Sequence, residues 1–238
     1  MASSHLTVIV IVPRIGFGIG VVTNTEVNRG ADIIPLPLKE GGTQAAILGL
    51  VKNRVDRKVE YLLSGLKINI ADALFEEMTS LNEEETLASH FNIMRETKVA
   101  EQAYTEAFNE AAEKIWLSFL NGFDDSHLEL PIGAVADDMK QMSRHVYNHY
   151  KVLIKETRYR FQTLLKREIT DNPLMPELYY SMFWQSLADL DLSYREKRYV
   201  LKLFHRFVMD RYGQILAAAN NTLIEMRVDL TVEVQSGT

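Results

Sequence analysis

The stretch TDNPLMPELYYSMFWQSL, Thr170 to Leu187, sets two prolines three residues apart before a dense run of aromatic residues. Each proline fixes φ and lacks an amide donor, so each fits where a helix begins and the first amides have no intrahelical partner. Pro176 also pushes Met175 away from helical geometry. The expected reading is a tight turn over 172–175, with Pro176 opening a short helix that ends near Leu190. A helix start at this point, and not a ligand loop, makes the surrounding chain read as one set of helices.

Outward from there, helical periodicity dominates from Thr43 onward. One face of the first segment carries Ile47, Leu48, Val51, Val55, Val59, Leu62 and Leu63, with Thr43 as candidate N-cap and Gly65 as a candidate end or loosening point. A second piece places Ile70, Leu74, Phe75 and Met78 at helical spacing. A long helix follows from Ser80 or Asn82 to Gly122, with Leu87, Phe91, Met94, Phe108, Ile115 and Phe119 as its apolar strip and a bend expected near Arg95 to Lys98. The next runs over 134–167. After the proline stretch, the last long helix is expected from Ser193, as cap, to about Met226, burying Val200, Leu201, Phe204, Val208, Tyr212, Ile215, Leu216, Ala219 and Leu223. The fold class is therefore all-α, a bundle of about five or six helices over 43–230. Residues 1–42 are β-branched, glycine-rich and proline-rich, and read as a strand-like or irregular extension. Residues 231–238 read as a tail.

Composition excludes several chemistries. With no cysteine among 238 residues, disulfides, thiol catalysis and cysteine-bound metals are out. The apolar run Leu6–Val12 is too short to span a bilayer and lacks a basic leader, so a cytoplasmic location is expected. The net charge of −6 conceals a division: residues 72–138 hold 16 acidic and 3 basic side chains, whereas residues 139–212 hold 14 basic and 8 acidic.

Site motifs are few. Gly16 to Gly20 lacks both the third glycine of a dinucleotide loop and a Walker lysine. His145 and His149 share a helix face at metal-binding spacing, but no third ligand is evident, so no metal or cofactor is expected. Lys140, Arg144, Lys151, Lys155, Arg158, Arg160, Lys166 and Arg167 are interleaved with aromatics, yet their positions run around the whole helix. That arrangement and the acidic overall balance disfavour nucleic acid. No catalytic motif is present.

The Asn172-Pro173-Leu174-x-Pro176 element has company downstream: Leu201, Lys202, Leu203 and Phe204, then Asn221, Leu223 and Ile224. Upstream stand ADALFEEM (Ala71–Met78) and HFNIMRETK (His90–Lys98). Together, over roughly 45–230, these resemble a bacterial family known as domain of unknown function 1631, at the N-terminal part of its much longer members. Some members are labelled thymidine phosphorylase, but no phosphate-binding glycine-rich loop of the kind that activity uses is present here. The resemblance implies an all-α fold and supplies no catalytic residue.

Three functions are expected in order. The first is a cytoplasmic, non-enzymatic interaction or regulatory module for another macromolecule. Its contacts would come from Arg144, Lys151, Arg158 and Arg160, together with whichever of Tyr179, Tyr180 and Trp184 is exposed, since Tyr, Trp and Arg dominate binding hot spots. The second is a sensor of a small anion or nucleotide, which requires Arg144, Arg158 and Arg160 to converge on one concavity. The third is an enzyme without a recognisable motif. Self-association through edge strands in residues 6–22 is a further expectation.

Overall fold

The computed structural model describes residues 40–80, 84–121 and 133–230. The expectations for residues 1–39, including self-association through 6–22, and for the tail 231–238 lie outside these residues. Among the described residues eight α-helices follow one another: α1 (Glu40–Ser80), α2 (Glu84–Val99), α3 (Glu101–Asn121), α4 (Ala134–His149), α5 (Lys151–Leu165), α6 (Pro176–Ser186), α7 (Tyr194–Phe207) and α8 (Gly213–Glu225). No strand occurs among the described residues, and none of their helices is long and apolar enough to cross a membrane. The all-α bundle read from the sequence is the fold.

The helices form five runs, because three expected long helices are each interrupted without turning back. Gly65 does not end the first helix, which is continuous from Glu40 to Ser80. A glycine inside a helix costs only about 1 kcal/mol relative to alanine, and Leu62, Leu63, Leu66 and Ile70 bury on either side of it. The expected bend near Lys98 falls at Ala100, where hydrogen bonds from Ala100 N–H to Glu96 and from Tyr104 N–H to Ala100 carry the helix across. The 134–167 helix breaks at Tyr150, and the last one breaks over Val208–Tyr212 around a short 3-10 turn, Met209–Arg211.

The core forms because the apolar strips face one another. α1 packs along α8, α7 and α2; α6 lies against α3, α4 and α7; α5 packs on α8. Ile215, Leu216, Ala219 and Leu223 of α8 are wholly buried; each large one contributes on the order of 1.5–3 kcal/mol. Phe183 of α6 stacks on Phe204 of α7 with ring centroids 4.0 Å apart. Phe75 and Phe91, expected in the apolar strips, are instead 61% and 57% exposed. Both belong to helices whose opposite faces, through Leu74 and Ile93, already fill the core.

The proline stretch folds as its chemistry requires. The Asn172 side chain accepts the Leu174 amide at 2.9 Å, and the Met175 amide closes a turn onto the Asn172 carbonyl at 3.1 Å. Met175 is extended and Pro176 occupies the first helical turn. The Tyr212 hydroxyl donates to the Leu174 carbonyl. α7 opens on a complete capping box between Ser193 and Glu196. Glu196 also accepts from Ser89 at 3.2 Å and Asn92 at 3.1 Å, fastening α2 to the start of α7. α8 closes on a Schellman motif: Arg227 takes a left-handed φ of 58°, and Val228 N–H reaches back to the Leu223 carbonyl at 2.9 Å.

The Tyr150 and Tyr212 breaks meet in space. The Tyr150 hydroxyl donates to the Asp210 carbonyl at 2.7 Å, and its ring lies against Gly213, where an added Cβ would come within 2.6 Å of Tyr150 Cε1. The ring is anchored at its far end and cannot swing aside without losing that bond. Gly213→Ala should therefore lower stability by about 1–3 kcal/mol through overpacking, read by urea unfolding, and the loss should shrink when Tyr150→Leu is combined with it.

Candidate functional site

Helices α4 and α5 continue one another's direction, since Tyr150 N–H bonds to Val146 O and Ile154 N–H to Tyr150 O, both at 3.0 Å. Positions 140, 144, 148, 151, 155 and 159 therefore fall on one face, being three or four residues apart. All six are exposed: Lys140, Arg144, Asn148, Lys151, Lys155 and Tyr159. Lys140, Arg144, Lys151 and Lys155 make no ion pair with the described residues.

The remaining arginines of this run serve the fold. Arg160 donates to the Val228 carbonyl at 2.6 Å, closing over the end of α8. Arg167 donates to the Phe119 carbonyl at 2.7 Å, over the end of α3. Arg158 is half-buried, its guanidinium 5.2 Å from the Tyr159 ring. The basic residues that run around the helix in sequence thus divide into inward-turned arginines and an outward stripe.

The aromatic candidates divide too. Tyr179 and Tyr180 are 3% and 0% exposed, so the condition for a surface role is not met by either. Tyr179 stacks edge-on against Tyr212, with centroids 5.3 Å apart. Trp184 is partly buried, with its ring 5.8 Å from that of Tyr194. α6 is apolar on nearly all sides because α3, α4 and α7 all pack on it.

Between α4 and α7 lies an open depression of about 560 Å³, bordered by Asp138, Gln141, Arg144, His145, Lys202 and His205. Arg158 and Arg160 do not line it. The convergence that the sensor reading requires of Arg144, Arg158 and Arg160 is therefore absent at this depression, where Arg144 instead meets α7. Sequence reading missed Lys202, His205 and Asp138 as site residues. More than 60 positions separate Asp138 from Lys202 and His205 along the chain, and only the packing of α7 beside α4 joins them.

The depression has a fixed floor. Arg198 forks onto both oxygens of Asp138, the Nη2–Oδ1 bond measuring 2.9 Å, and this holds the Asp138 carboxyl below its ordinary range. His205 Nδ1 lies 2.5 Å from the Tyr180 hydroxyl. Burial, with a smaller contribution from the Asp210 charge, raises the Tyr180 pKa, so the phenol keeps its proton. On the other side of the ring, His205 Nε2 lies 3.6 Å from Asp210 Oδ1. The His145 ring stands 6.2 Å from that of His205. His149, four residues further along the helix, packs on Tyr150 with centroids 4.5 Å apart. No cluster of three metal-binding side chains occurs among the described residues.

Asp138 and His205 both titrate away from their usual values, but each is already engaged, by Arg198 and by Tyr180. The depression is open, so the two do not enclose a reacting group. What the arrangement offers is positive charge and N–H donors on a surface.

His205 is pushed down in pKa, chiefly by burial and also by nearby His145, against the opposing pull of Asp210. A depressed value means that the unfolded chain binds this proton more readily than the folded one. Stability is then full above the ordinary histidine value of about 6.5 and falls as pH drops through the lower folded value. His205→Gln should flatten the stability–pH curve between about pH 6.5 and 5, above the carboxylate range. Urea unfolding across that window should show it; an unaltered slope contradicts the assignment.

Residues 135–226 match the family model described as protein of unknown function (DUF1631), N-terminal domain. The match runs from the start of α4 to the end of α8 and leaves α1 to α3 outside it. No curated protein and no solved structure matches the chain significantly. The family to which the Asn-Pro-Leu-x-Pro element points is therefore the one that residues 135–226 match: DUF1631, at its N-terminal domain.

Proposed function

We propose that the chain is a helical interaction or regulatory module that binds an acidic polypeptide along the α4–α5 face. The observation that carries this reading is the exposed stripe Lys140, Arg144, Lys151 and Lys155, whose cations have no ion-pair partner among the described residues. Positive charge held in one line along two successive helices steers an extended or helical acidic segment and fixes its register. Tyr159, exposed at the end of the stripe, adds an aromatic contact of the type common at interface centres.

An acidic polypeptide fits better than nucleic acid for a reason of balance. The whole chain carries −6, and its 72–138 half repels a long polyanion that extends beyond the stripe. A cytoplasmic location agrees with a cysteine-free chain.

Poly-L-glutamate is the direct probe. At about 50 mM salt, Lys151→Glu with Lys155→Glu should weaken its binding at least roughly tenfold, and wild-type binding should decline as salt screens the contact. Both positions are exposed, so folding should be retained. Equal binding by wild type and double variant in a fluorescence titration would overturn the reading.

A further inference from the structure

The depression between α4 and α7 has a composition that a plain charged stripe does not need. It draws cations and N–H donors from two helices, Arg144, His145 and Gln141 from α4 and Lys202 and His205 from α7. Its one carboxylate, Asp138, is neutralised by Arg198. Arg144 and Lys202 have no ion pair among the described residues. His205 is not a loose surface ring: the Tyr180 hydroxyl, buried in the core, lies 2.5 Å from its Nδ1 and fixes its orientation.

We propose that this depression is a binding site for a phosphate-monoester dianion. Arg144 and Lys202 supply the charge, and the imidazoles of His145 and His205 with the Gln141 amide supply further donors. Several donors spread around an opening of this width suit a tetrahedral oxyanion, which accepts bonds on several oxygens, better than a single planar carboxylate. The inference goes beyond the acidic-polypeptide reading and stands without it, since Lys151 and Lys155 play no part.

The site is built to respond to protons. The groups facing His205 are His145 from α4, Tyr180 from α6, Lys202 from its own helix and Asp210 from the turn before α8. Of these, Asp210 favours its protonation and His145 disfavours it. A bound dianion adds negative charge and shifts the balance toward the imidazolium, so binding takes up protons and tightens as pH falls.

The test is a titration of the full chain with sulfate, inorganic phosphate and phosphoserine, followed by the imidazole C2–H resonances. Sulfate keeps its charge across the range and isolates the histidine contribution. The expected result is a saturable shift of the His145 and His205 signals, roughly threefold tighter for sulfate at pH 6 than at pH 8. Arg144→Gln with Lys202→Gln, both at exposed positions, should weaken binding at least about tenfold. No shift at about 50 mM anion, or equal titration of wild type and double variant, overturns the proposal. A glutamate-rich peptide with one phosphoserine, beside its unphosphorylated form, separates the sources. Tighter binding of the phosphorylated peptide than of both its unphosphorylated form and inorganic phosphate assigns the group to a modified polypeptide, and binding of the free anions with no gain from the phosphoserine assigns it to a small phosphate ester. Lys151→Glu with Lys155→Glu should leave the sulfate titration unchanged, so failure of the stripe reading and failure of this one are told apart.

Discussion

The hydrogen bond from the buried Tyr212 hydroxyl to the Leu174 carbonyl is the contact around which the C-terminal helices are arranged. Leu174 sits in a turn with proline on either side, wholly buried, where no helix or strand can satisfy its backbone. Its amide is taken by the Asn172 side chain and its carbonyl by Tyr212. Without these two partners the turn could not lie inside the protein, because an unpaired buried polar group costs about 1–3 kcal/mol. The phenol is itself enclosed, and burial raises its pKa far above the ordinary value, so it remains a donor.

From that bond the geometry spreads through rings. Tyr212 packs edge-on to Tyr150 at the α4–α5 junction and to Tyr179 of α6. Tyr179 faces Phe108 of α3, and Phe108 faces Phe204 of α7. Phe204 lies between Phe183 and Tyr180, and the Tyr180 hydroxyl then reaches His205 at the surface. The core thus ends in a polar group presented to solvent beside α4. Arg198 and Asp138 close the same two helices from the other end of the depression. A surface of cations is held in place by an interior of aromatic residues, and the surface can be charged because the interior fixes it without using the charges.

Much of this was legible in the sequence where the cause is local. Proline at the first helical turn, Ser193 as the cap of α7 and the periodic apolar strips all act within a few residues, and they fold as read apart from Phe75 and Phe91. The breaks at Tyr150 and Val208–Tyr212 carry no proline and no cap. They follow from a tertiary demand, that two helical runs cross where Gly213 admits the Tyr150 ring. The fates of the arginines were illegible for the same reason: whether Arg160 is free depends on Val228, and whether Arg167 is free depends on Phe119, both distant in the chain. Helical spacing cannot tell an aromatic residue packed on all sides from one with an outer face, which is why Tyr180 read as a possible contact residue and Phe91 as a core one. The pairing of His145 with His205, and not with His149, likewise comes from α7.

Tyr212→Phe tests the central claim most directly, because it keeps the ring and every packing contact and deletes one hydroxyl. The account predicts a loss of about 1–3 kcal/mol in equilibrium unfolding, the cost of stranding the Leu174 carbonyl, with faster hydrogen exchange at the Leu174 and Met175 amides. A variant as stable as the wild type, with unchanged exchange across the turn, would show that the aromatic packing holds the helices without this bond and would contradict it.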